Sequence, residues 1–407
     1  MGFYNENLEK ITKFFRNGSK QQQYLGLELE HFIVNKETGR SLPYHDGALR
    51  LLNKLAGPYG SPIYSDKHLI GITRPSAHLT LEPAGQFEIS IGPFETLSQI
   101  QSAYAFFTDM AAPILDKMNA KLVNFGYHPH STIDELELLP KPRYRFMDHH
   151  FKSTGTHGVH MMKGSGATQV SIDYRDEADF VQKFRLANLL GPLFAFICDN
   201  SPQFMGQPYR KRMLRTHIWN NVDPARQGVA DNTFDENFGF ETYAQYIYNR
   251  PSILKIDQVN GDAHYTGTVR VSELYDDHEI TDAEIQHIAS MVFPDVALKS
   301  HIEIRMADSM PFELALGYAA MIQTIFYQDA MFDYFYKPLN KLSTPDIITA
   351  KNELMRFGIN AHIYGKTTKA WLMDLQEMIG IYAKETLFIK PMLSLLQNRI
   401  DNNGDIE

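Results

Sequence analysis

Cysteine is almost absent from this 407-residue sequence, which contains only Cys198. One cysteine cannot form a disulfide within the chain, so a small secreted fold held together by disulfides is excluded. Cys198 ends an apolar run, and we predict that it is a buried hydrophobic side chain. The lack of disulfides is typical of proteins that work in a reducing compartment.

Long hydrophobic runs are absent as well. The longest apolar stretch covers residues 186–198 and includes Asn188, whereas a membrane-spanning helix needs roughly 20 apolar residues. The first residues lack the basic segment and the apolar segment of a secretory signal. We therefore expect a protein that makes no membrane contact and is located in the cytoplasm.

A surplus of positive charge is the third absence. The sequence has 39 Lys and Arg residues against 48 Asp and Glu residues, which gives a net charge of −9. An acidic chain is poorly suited to binding nucleic-acid backbones, so we expect no nucleic-acid partner. Any phosphate site must then be built locally, from a few cations or a bound metal ion.

The remaining composition is that of a globular protein, with 43% hydrophobic and 12% aromatic residues. There is no internal repeat and no low-complexity linker. Hydrophobic periodicity predicts strands at about 24–35, 80–91, 168–174 and 301–306, and helices at about 5–17, 97–119, 177–198 and 311–336. Residues 344–398 are also predicted to be helical, with turns at Gly358 and Gly365. Strands and long helices without regular alternation predict an α+β fold with an antiparallel sheet.

Three of the predicted strands carry polar residues at every second position. Because a strand alternates its faces, residues two apart point to the same side of a sheet. If the strands are neighbours, one face holds all of these side chains: Glu28 and Glu30 in the first strand, Glu82, Gln86 and Glu88 in the second, and Glu303 and Arg305 in the last.

Such a cluster of like charges needs a cation, because an unpaired buried carboxylate is costly. Oxygen ligands favour Mg²⁺ or Mn²⁺ over zinc. An arginine among carboxylates indicates a bound phosphate, so the pattern favours phosphoryl transfer. The alternative is that these glutamates cover the solvated face of an antiparallel sheet, and the spacing alone does not decide between the two.

A segment rich in Arg, Asn, Asp and Gly at 210–238 is predicted to be a long loop, and long ordered loops are often functional. Within it, Arg215 and the nearby Trp219 are candidates for holding a substrate carboxylate. For Arg215 the alternative is a surface salt bridge.

Several longer stretches carry a recognisable pattern. They are LEPAGQFEIS, PKPRYRFM, QVSIDYRDEADFVQKFR, NSPQFMG, RTHIWNNVDPARQG, FGFETYAQYIYNRP and HIEIRMADSMP. In this order they resemble the plant and proteobacterial type of the glutamate–cysteine ligase family, whose Glu-hydrophobic-Arg-x-Ala-Asp motif matches the last stretch. The resemblance runs from about residue 26 to residue 311, and the C-terminal helices match less clearly.

The resemblance implies a fold related to glutamine synthetase, in which an antiparallel sheet forms a cupped active site flanked by long helices. It implies one catalytic ligase domain over residues 1–407, with a sheet core at about 24–310 and a C-terminal helical region at about 311–400. In this family ATP phosphorylates the γ-carboxylate of glutamate, and the cysteine amine attacks the γ-glutamyl phosphate. The product is γ-glutamylcysteine, and the reaction is the first step of glutathione biosynthesis.

The resemblance also implies roles for individual residues. The implied ligands of Mg²⁺, with Mn²⁺ as an alternative, are Glu28, Glu30, Glu82, Glu88 and Glu303. Arg305 is expected to contact the γ-phosphate of ATP and to be catalytic together with Glu303. Gln169 is expected beside the metal or the nucleotide. Arg215 and Trp219 are expected to bind glutamate.

Two positions depart from the family pattern, because plant-type relatives usually have Asn where Ser171 stands and Gly where Met306 stands. They keep open a related carboxylate–amine ligase that uses another amine or acid in specialised metabolism. Two further hypotheses are a non-catalytic homologue that binds nucleotide or amino acid and a carboxylate–metal hydrolase that needs no ATP. The expected partners are small molecules: ATP, glutamate, and cysteine or another amine.

Overall fold

The computed structural model of the chain describes residues 2–65, 68–257 and 261–402. The α-helices are α1 (Tyr4–Asn17), α2 (Ala48–Leu55), α3 (Leu97–Lys117), α4 (Pro142–Phe151), α5 (Gly158–Gly164), α6 (Glu177–Ile197), α7 (Leu214–Trp219), α8 (Phe240–Tyr248), α9 (Val271–Leu274), α10 (Asp282–Ala289), α11 (Phe312–Tyr327), α12 (Asp329–Leu339), α13 (Thr344–Phe357), α14 (Thr368–Tyr382) and α15 (Thr386–Asp401). A 3₁₀ turn covers Gly358–Asn360.

The strands are β1 (Leu25–Asn35), β2 (Ser61–Ser65), β3 (His68–Arg74), β4 (Ala77–Leu81), β5 (Phe87–Phe94), β6 (Ala120–Val123), β7 (Ala167–Ile172), β8 (Gln203–Phe204), β9 (Gln207–Pro208), β10 (Gln227–Gly228), β11 (Leu254–Ile256), β12 (Ala263–Tyr265), β13 (Phe293–Pro294), β14 (Val296–Leu298), β15 (Ile302–Asp308), β16 (His362–Ile363) and β17 (Lys366–Thr367). The main sheet has the order β14–β15–β7–β1–β5–β4–β3–β2, and β6 pairs with the second half of β1. Its neighbouring strands run antiparallel. The prediction of an α+β fold with an antiparallel sheet is confirmed.

The alternation of residues in β1 gives the sheet one apolar face and one polar face. Leu25, Leu27 and Leu29 are buried and alternate with Glu28 and Glu30. Helices α3, α6 and α11 pack on the apolar side, against β5, β15 and the pair β1 and β7. The polar side is therefore left to form a cleft.

The predicted strand at 80–91 is wrong in one respect, because the chain turns back within it. β4 ends at Leu81 and β5 begins at Phe87. The amide of Glu82 donates to the carbonyl of Gln86 at 3.0 Å, and Gly85 adopts φ +81°. Since this conformation favours glycine, Gly85 allows the chain to turn back into a hairpin at this point.

Helix α6 continues through Gly191 and Pro192 as far as Ile197. Gly191 lies against Met306 of β15. A Cβ atom at Gly191 would lie 2.4 Å from Cε of Met306. The Met306 side chain therefore occupies space that a Cβ atom at Gly191 would otherwise take.

The residues after the main sheet are mostly helical, beginning with α11. The single helix predicted at 311–336 is divided at Gln328, whose backbone is extended. A small hairpin, β16–β17, turns at Tyr364 and Gly365, which both have positive φ. None of the described helices is long and apolar enough to cross a membrane. The treatment of residues 1–407 as one catalytic domain stays a prediction.

Candidate active site

The strand register brings the predicted carboxylates together on the polar face of the sheet. β1 pairs with β5 so that Glu30 lies opposite Glu88, and with β7 so that Glu28 lies opposite Gln169. β7 separates β1 from β15, which carries Glu303. Directly opposed residues of an antiparallel pair point to the same side, so these side chains share one face.

These side chains line a cleft of about 560 Å³, a size that suits a small-molecule ligand. The cleft also receives residues from the β4–β5 turn, from the start of α4 and from α7. Every site residue predicted from the sequence lines it, namely Glu28, Glu30, Glu82, Glu88, Gln169, Arg215, Trp219, Glu303 and Arg305. The solvated-sheet alternative is thereby disfavoured, because these residues lie in a recess.

The carboxylates of β1 and β5 accept hydrogen bonds from neutral donors. Oε2 of Glu28 accepts from Nε2 of Gln169 at 3.2 Å. Oε2 of Glu30 accepts from the amide of Ala167 at 3.1 Å. Oε1 of Glu88 accepts from a threonine hydroxyl of β4 at 2.7 Å. Neutral donors hold these side chains in place without neutralising their charge.

Burial raises the pKa of the cleft carboxyls on β1, on β5 and in the β4–β5 turn. The pKa of Glu28 rises to about 8, with the charges of Glu88 and Glu303 adding to the effect of burial. The pKa of Glu88 rises to about 7 through burial and the charge of Glu82. The pKa values of Glu82 and Glu30 are also raised, mainly by burial. A bound cation would favour the ionised forms and reverse these shifts.

Glu303 shows the opposite shift although its side chain is fully buried. Burial alone would raise its pKa, but the charges of Lys299 and Arg305 hold it well below the usual range. Oε1 accepts from Nζ of Lys299 at 2.5 Å, and Oε2 pairs with the Arg305 guanidinium. Arg305 in turn has a raised pKa despite its burial, because of Glu303. This end of the cleft therefore holds a fixed cluster of ions.

Helix α7 places Arg215 and Trp219 in the wall of the cleft, within the segment predicted to be a long loop. Before it, Met213 has φ +55°, and its amide donates to Oδ2 of Asp199 at 2.7 Å. The Arg215 guanidinium lies 5.4 Å from the centre of the Trp219 ring, and its Nη1 donates to the carbonyl of Arg305 at 3.1 Å. Burial lowers the pKa of Arg215.

Polar atoms in this wall remain available for a ligand. Within the described part of the chain, Nε of Arg215, Nε1 of Trp219 and Oε1 of Gln169 have no hydrogen-bond partner. Buried polar atoms normally have partners in native proteins, so unsatisfied ones indicate an interaction that the protein alone does not supply.

Three cations of the cleft were missed by the sequence analysis. Lys299 precedes β15 and bonds Glu303, while Lys141 and Arg143 enter from the start of α4. Lys141 donates to the carbonyl of Leu81 at 3.1 Å. Lys141 and Arg143 belong to PKPRYRFM, one of the stretches that resemble the ligase family, and this membership could have marked them as candidate site residues.

The donor set suits a hard divalent cation, because it consists of carboxylate oxygens. Across residues 2–65, 68–257 and 261–402, however, no three His, Cys, Asp or Glu side chains are drawn together closely enough to form a finished metal site. Carboxylates with unbalanced charge repel one another, so a ready cluster is not expected without its cation. The residues therefore fit such an ion by their chemistry, and their side chains would have to converge on it.

Comparison with known proteins identifies the family. The family model described as glutamate–cysteine ligase family 2 matches residues 24–384. The chain belongs to this family. The resemblance inferred from the sequence motifs is confirmed, and it extends beyond residue 311 through most of the C-terminal helices.

Curated plant members of the family are similar over most of this chain. Chloroplastic glutamate–cysteine ligase from Nicotiana tabacum is 28% identical over 332 residues, and that from Arabidopsis thaliana is 29% identical over 330 residues. Each match covers 79% of this chain but only 63% of the relative. The Brassica juncea enzyme is 28% identical, with 86% of this chain and 68% of the relative covered.

A solved structure supports the fold assignment. Glutamate–cysteine ligase from Francisella tularensis, determined in complex with AMP, matches 95% of this chain and 83% of its own with a TM-score of 0.56 at 12% identity. The prediction of a glutamine synthetase-like ligase fold with a cupped sheet is confirmed.

The prediction of a cytoplasmic location is wrong by these comparisons, because the similar plant enzymes are named as chloroplastic. It rested on the missing secretory signal and the missing disulfides. Neither feature separates the cytosol from the interior of a reducing organelle.

Proposed function

We propose that this protein is an ATP-dependent ligase that joins the γ-carboxylate of glutamate to the amine of cysteine through a γ-glutamyl phosphate. One observation carries the proposal: a single cleft combines carboxyls of raised pKa with the fixed ion cluster of Glu303, Lys299 and Arg305. Phosphoryl transfer needs both a cation site and preorganised positive charge. Family membership supports the same chemistry.

Arg305 is proposed to stabilise the charge that develops on the transferred phosphoryl group. Its guanidinium is ionised, and its bond to Glu303 fixes its orientation before substrate arrives. A preoriented charge stabilises a transition state without reorganisation during the reaction. Lys299, on the other oxygen of Glu303, adds a second positive charge beside it.

Arg215 and Trp219 are proposed to bind glutamate. Arg215 is buried, and its free Nε is suited to a carboxylate partner. Exclusion of water from the cleft would protect the γ-glutamyl phosphate from hydrolysis before the amine attacks. Gln169 is proposed to lie beside the nucleotide or the metal, through the amide oxygen that has no partner in the described part of the chain.

Glu28, Glu30, Glu82 and Glu88 are proposed to hold Mg²⁺, with Mn²⁺ as an alternative. Bound there, the ion would supply neutralisation of the phosphate charge. The metal role of Glu303 stays a prediction, and both of its oxygens are already engaged by cations. We propose that its main task is to hold Arg305 and Lys299.

The test is ADP release by the purified protein with ATP, Mg²⁺ and glutamate, with and without each of a panel of amines. Product masses are read in parallel. Cysteine-dependent ADP release with a γ-glutamylcysteine mass is the expected result. ADP formed only with another amine would keep the mechanism and change the acceptor. No ADP with any amine would contradict the proposal.

No observation favours a different acceptor over cysteine. The two positions that depart from the family pattern, Ser171 and Met306, are not among the described residues that line the cleft. Met306 instead lines a small neighbouring cavity and packs against Gly191 of α6.

A further inference from the structure

Arg305 lies at an irregular point of β15, where the strand leaves its register with β7. Ile304 pairs with Val170 and Ala307 pairs with Thr168, so Arg305 and the residue after it bulge out of this ladder. A backbone group at a bulge needs partners from outside the regular ladder. The conformation of this short segment decides where the Arg305 side chain points.

Two contacts satisfy the backbone of Arg305. Its carbonyl accepts from Nη1 of Arg215 at 3.1 Å. Its amide donates to the carbonyl of Asp295 at 3.2 Å, which continues the β14–β15 pairing by one step. Asp295 is itself held, because its amide donates to the carbonyl of Gly228 at 2.8 Å.

The side chain of Asp295 is paired with a residue from the C-terminal helical region. Oδ2 of Asp295 contacts Nζ of Lys351, which lies on α13. The Lys351 side chain is only 9% exposed, and that of Asp295 is 17% exposed. An ion pair withdrawn from water to this degree fixes geometry more firmly than a surface pair does. Helix α13 also packs on α6, which packs on β15.

We propose that Lys351 is a positioning residue for Arg305, so that the C-terminal helical region takes part in building the active site. Lys351 holds Asp295, Asp295 holds the amide of Arg305, and the bulge then directs the guanidinium to Glu303. The catalytic meaning of this chain of contacts rests on the proposed ligase function. The contacts themselves can be tested without it.

Lys351 acts from outside the substrate cleft. Together with Arg305, Arg215 and Trp219 it lines a separate cavity of about 30 Å³. This space has room for about two water molecules at roughly 15 Å³ each, and none for a substrate. Arg215, Trp219, Phe293 and Arg305 line both this cavity and the cleft.

The test compares Lys351→Met with a matched control, Lys366→Met. Methionine keeps most of the length and the packing of lysine and removes the charge. Lys366 also pairs with an aspartate in the C-terminal region, Asp374 at 2.6 Å, and both this partner and the Trp371 ring that it contacts lie on α14. Lys351→Met should lower kcat on the order of 10–100-fold with little change in KM, because the misplaced group acts on the transition state. Lys351→Arg should restore most of kcat, and Lys366→Met should leave kcat unchanged.

Hydrogen–deuterium exchange gives a readout that does not need turnover. In the absence of substrates, Lys351→Met should speed exchange in peptides covering residues 302–308, since the Arg305 amide loses its fixed acceptor. Lys366→Met should leave these peptides as they are in the wild type.

The outcomes separate this proposal from the proposed function. Unchanged exchange at 302–308 in Lys351→Met overturns the anchoring role, whatever the enzyme does. Faster exchange with an unchanged kcat overturns the positioning role. A wild-type protein that releases no ADP contradicts the ligase function, while exchange still decides whether Lys351 anchors this strand.

Discussion

Glu28 on β1 and Glu303 on β15 lie on the same face of one sheet, yet their pKa values move in opposite directions. Burial by itself raises the pKa of both carboxyls. At Glu28 the charges of Glu88 and Glu303 add to this effect, whereas at Glu303 the cations Lys299 and Arg305 outweigh it. The charge of a buried carboxyl is thus decided by the groups placed around it more than by its position on the sheet.

The cleft therefore has two ends that suit different tasks. The β15 end carries a finished ion cluster, which suits stabilisation of negative charge during phosphoryl transfer. The end formed by β1 and β5 carries carboxyls whose pKa is raised because burial and neighbouring carboxylates disfavour their ionised form, so a bound cation is the partner that they lack. Each end can be tested by removing the group that gives it its character.

The largest effect is expected from Arg305→Ala. Removing the preoriented guanidinium should lower kcat on the order of 10²–10³-fold, as the loss of one fixed transition-state donor does in other enzymes. The loss in free energy of unfolding should be smaller than the loss in transition-state stabilisation, because Glu303 keeps its bond to Lys299. Steady-state kinetics and thermal denaturation of the same preparation measure the two effects.

The Arg40–Glu135 pair provides a matched control on the surface, where the two side chains are 55% and 44% exposed. Arg40→Ala should change neither kcat nor stability by a measurable amount. If Arg305→Ala instead collapses the thermal stability while the remaining folded enzyme keeps full turnover, Arg305 is structural.

A smaller effect is expected when the anion of the β15 cluster is removed. Glu303→Gln leaves Lys299 and Arg305 beside a neutral side chain, and should reduce the free energy of unfolding by about 2 kcal/mol. Urea denaturation at pH 7.5 without Mg²⁺ measures it. Glu135→Gln, in the surface pair, should change it by less than about 1 kcal/mol. Equal losses in the two variants would mean that the cluster is no stronger than an exposed pair.

Replacing Glu28 in the metal-free protein should raise the free energy of unfolding, whereas replacing Glu303 should lower it. Its pKa is about 8 in the folded state against an ordinary value of 4.5, so the folded protein binds this proton more tightly than the unfolded chain does. The resulting stabilisation is complete below about pH 4.5 and is lost as the pH rises towards 8. Glu28→Gln removes this loss, and should be more stable than the wild type at pH 9 by on the order of 1–3 kcal/mol.

The gain in Glu28→Gln should vanish near pH 5, where the wild-type carboxyl is protonated and resembles the amide. Urea denaturation in the presence of a chelator, at pH 5 and pH 9, tests this dependence. Destabilisation by Glu28→Gln at pH 9 would show that the charges around Glu28 balance it already, and the contrast between the two ends of the cleft would be lost.

The contrast could be predicted from the sequence only in part. The period of two in β1 fixes Glu28 and Glu30 on one side of the strand, because alternation is local. The cation pairing of Glu303 needs the β14–β15 hairpin, which brings Lys299 back beside it. That hairpin is too short to show a hydrophobic pattern of its own, so Lys299 was missed.

The role proposed for Lys351 could not be predicted from the sequence. It lies in a helix whose periodicity predicts only a packed face, and the family motifs quoted from the sequence end before it. Its partner Asp295 is 56 residues away in sequence. Contacts of this range depend on how α13 packs on α6, and no local pattern encodes that packing.

The smallest effect is expected from Mg²⁺ itself, and it tests the comparison most directly. At a Mg²⁺ concentration of ten times its dissociation constant, the wild type should gain about 1.4 kcal/mol of stability relative to K⁺ at equal ionic strength. Glu28→Gln/Glu30→Gln should lose this gain, because both carboxylates belong to the end that lacks a cation. Glu303→Gln should keep it, since its oxygens already serve Lys299 and Arg305. A Glu303→Gln variant that no longer responds to Mg²⁺ would instead make Glu303 a metal ligand, as the family resemblance implies, and its cation pairs would be contacts that the ion displaces.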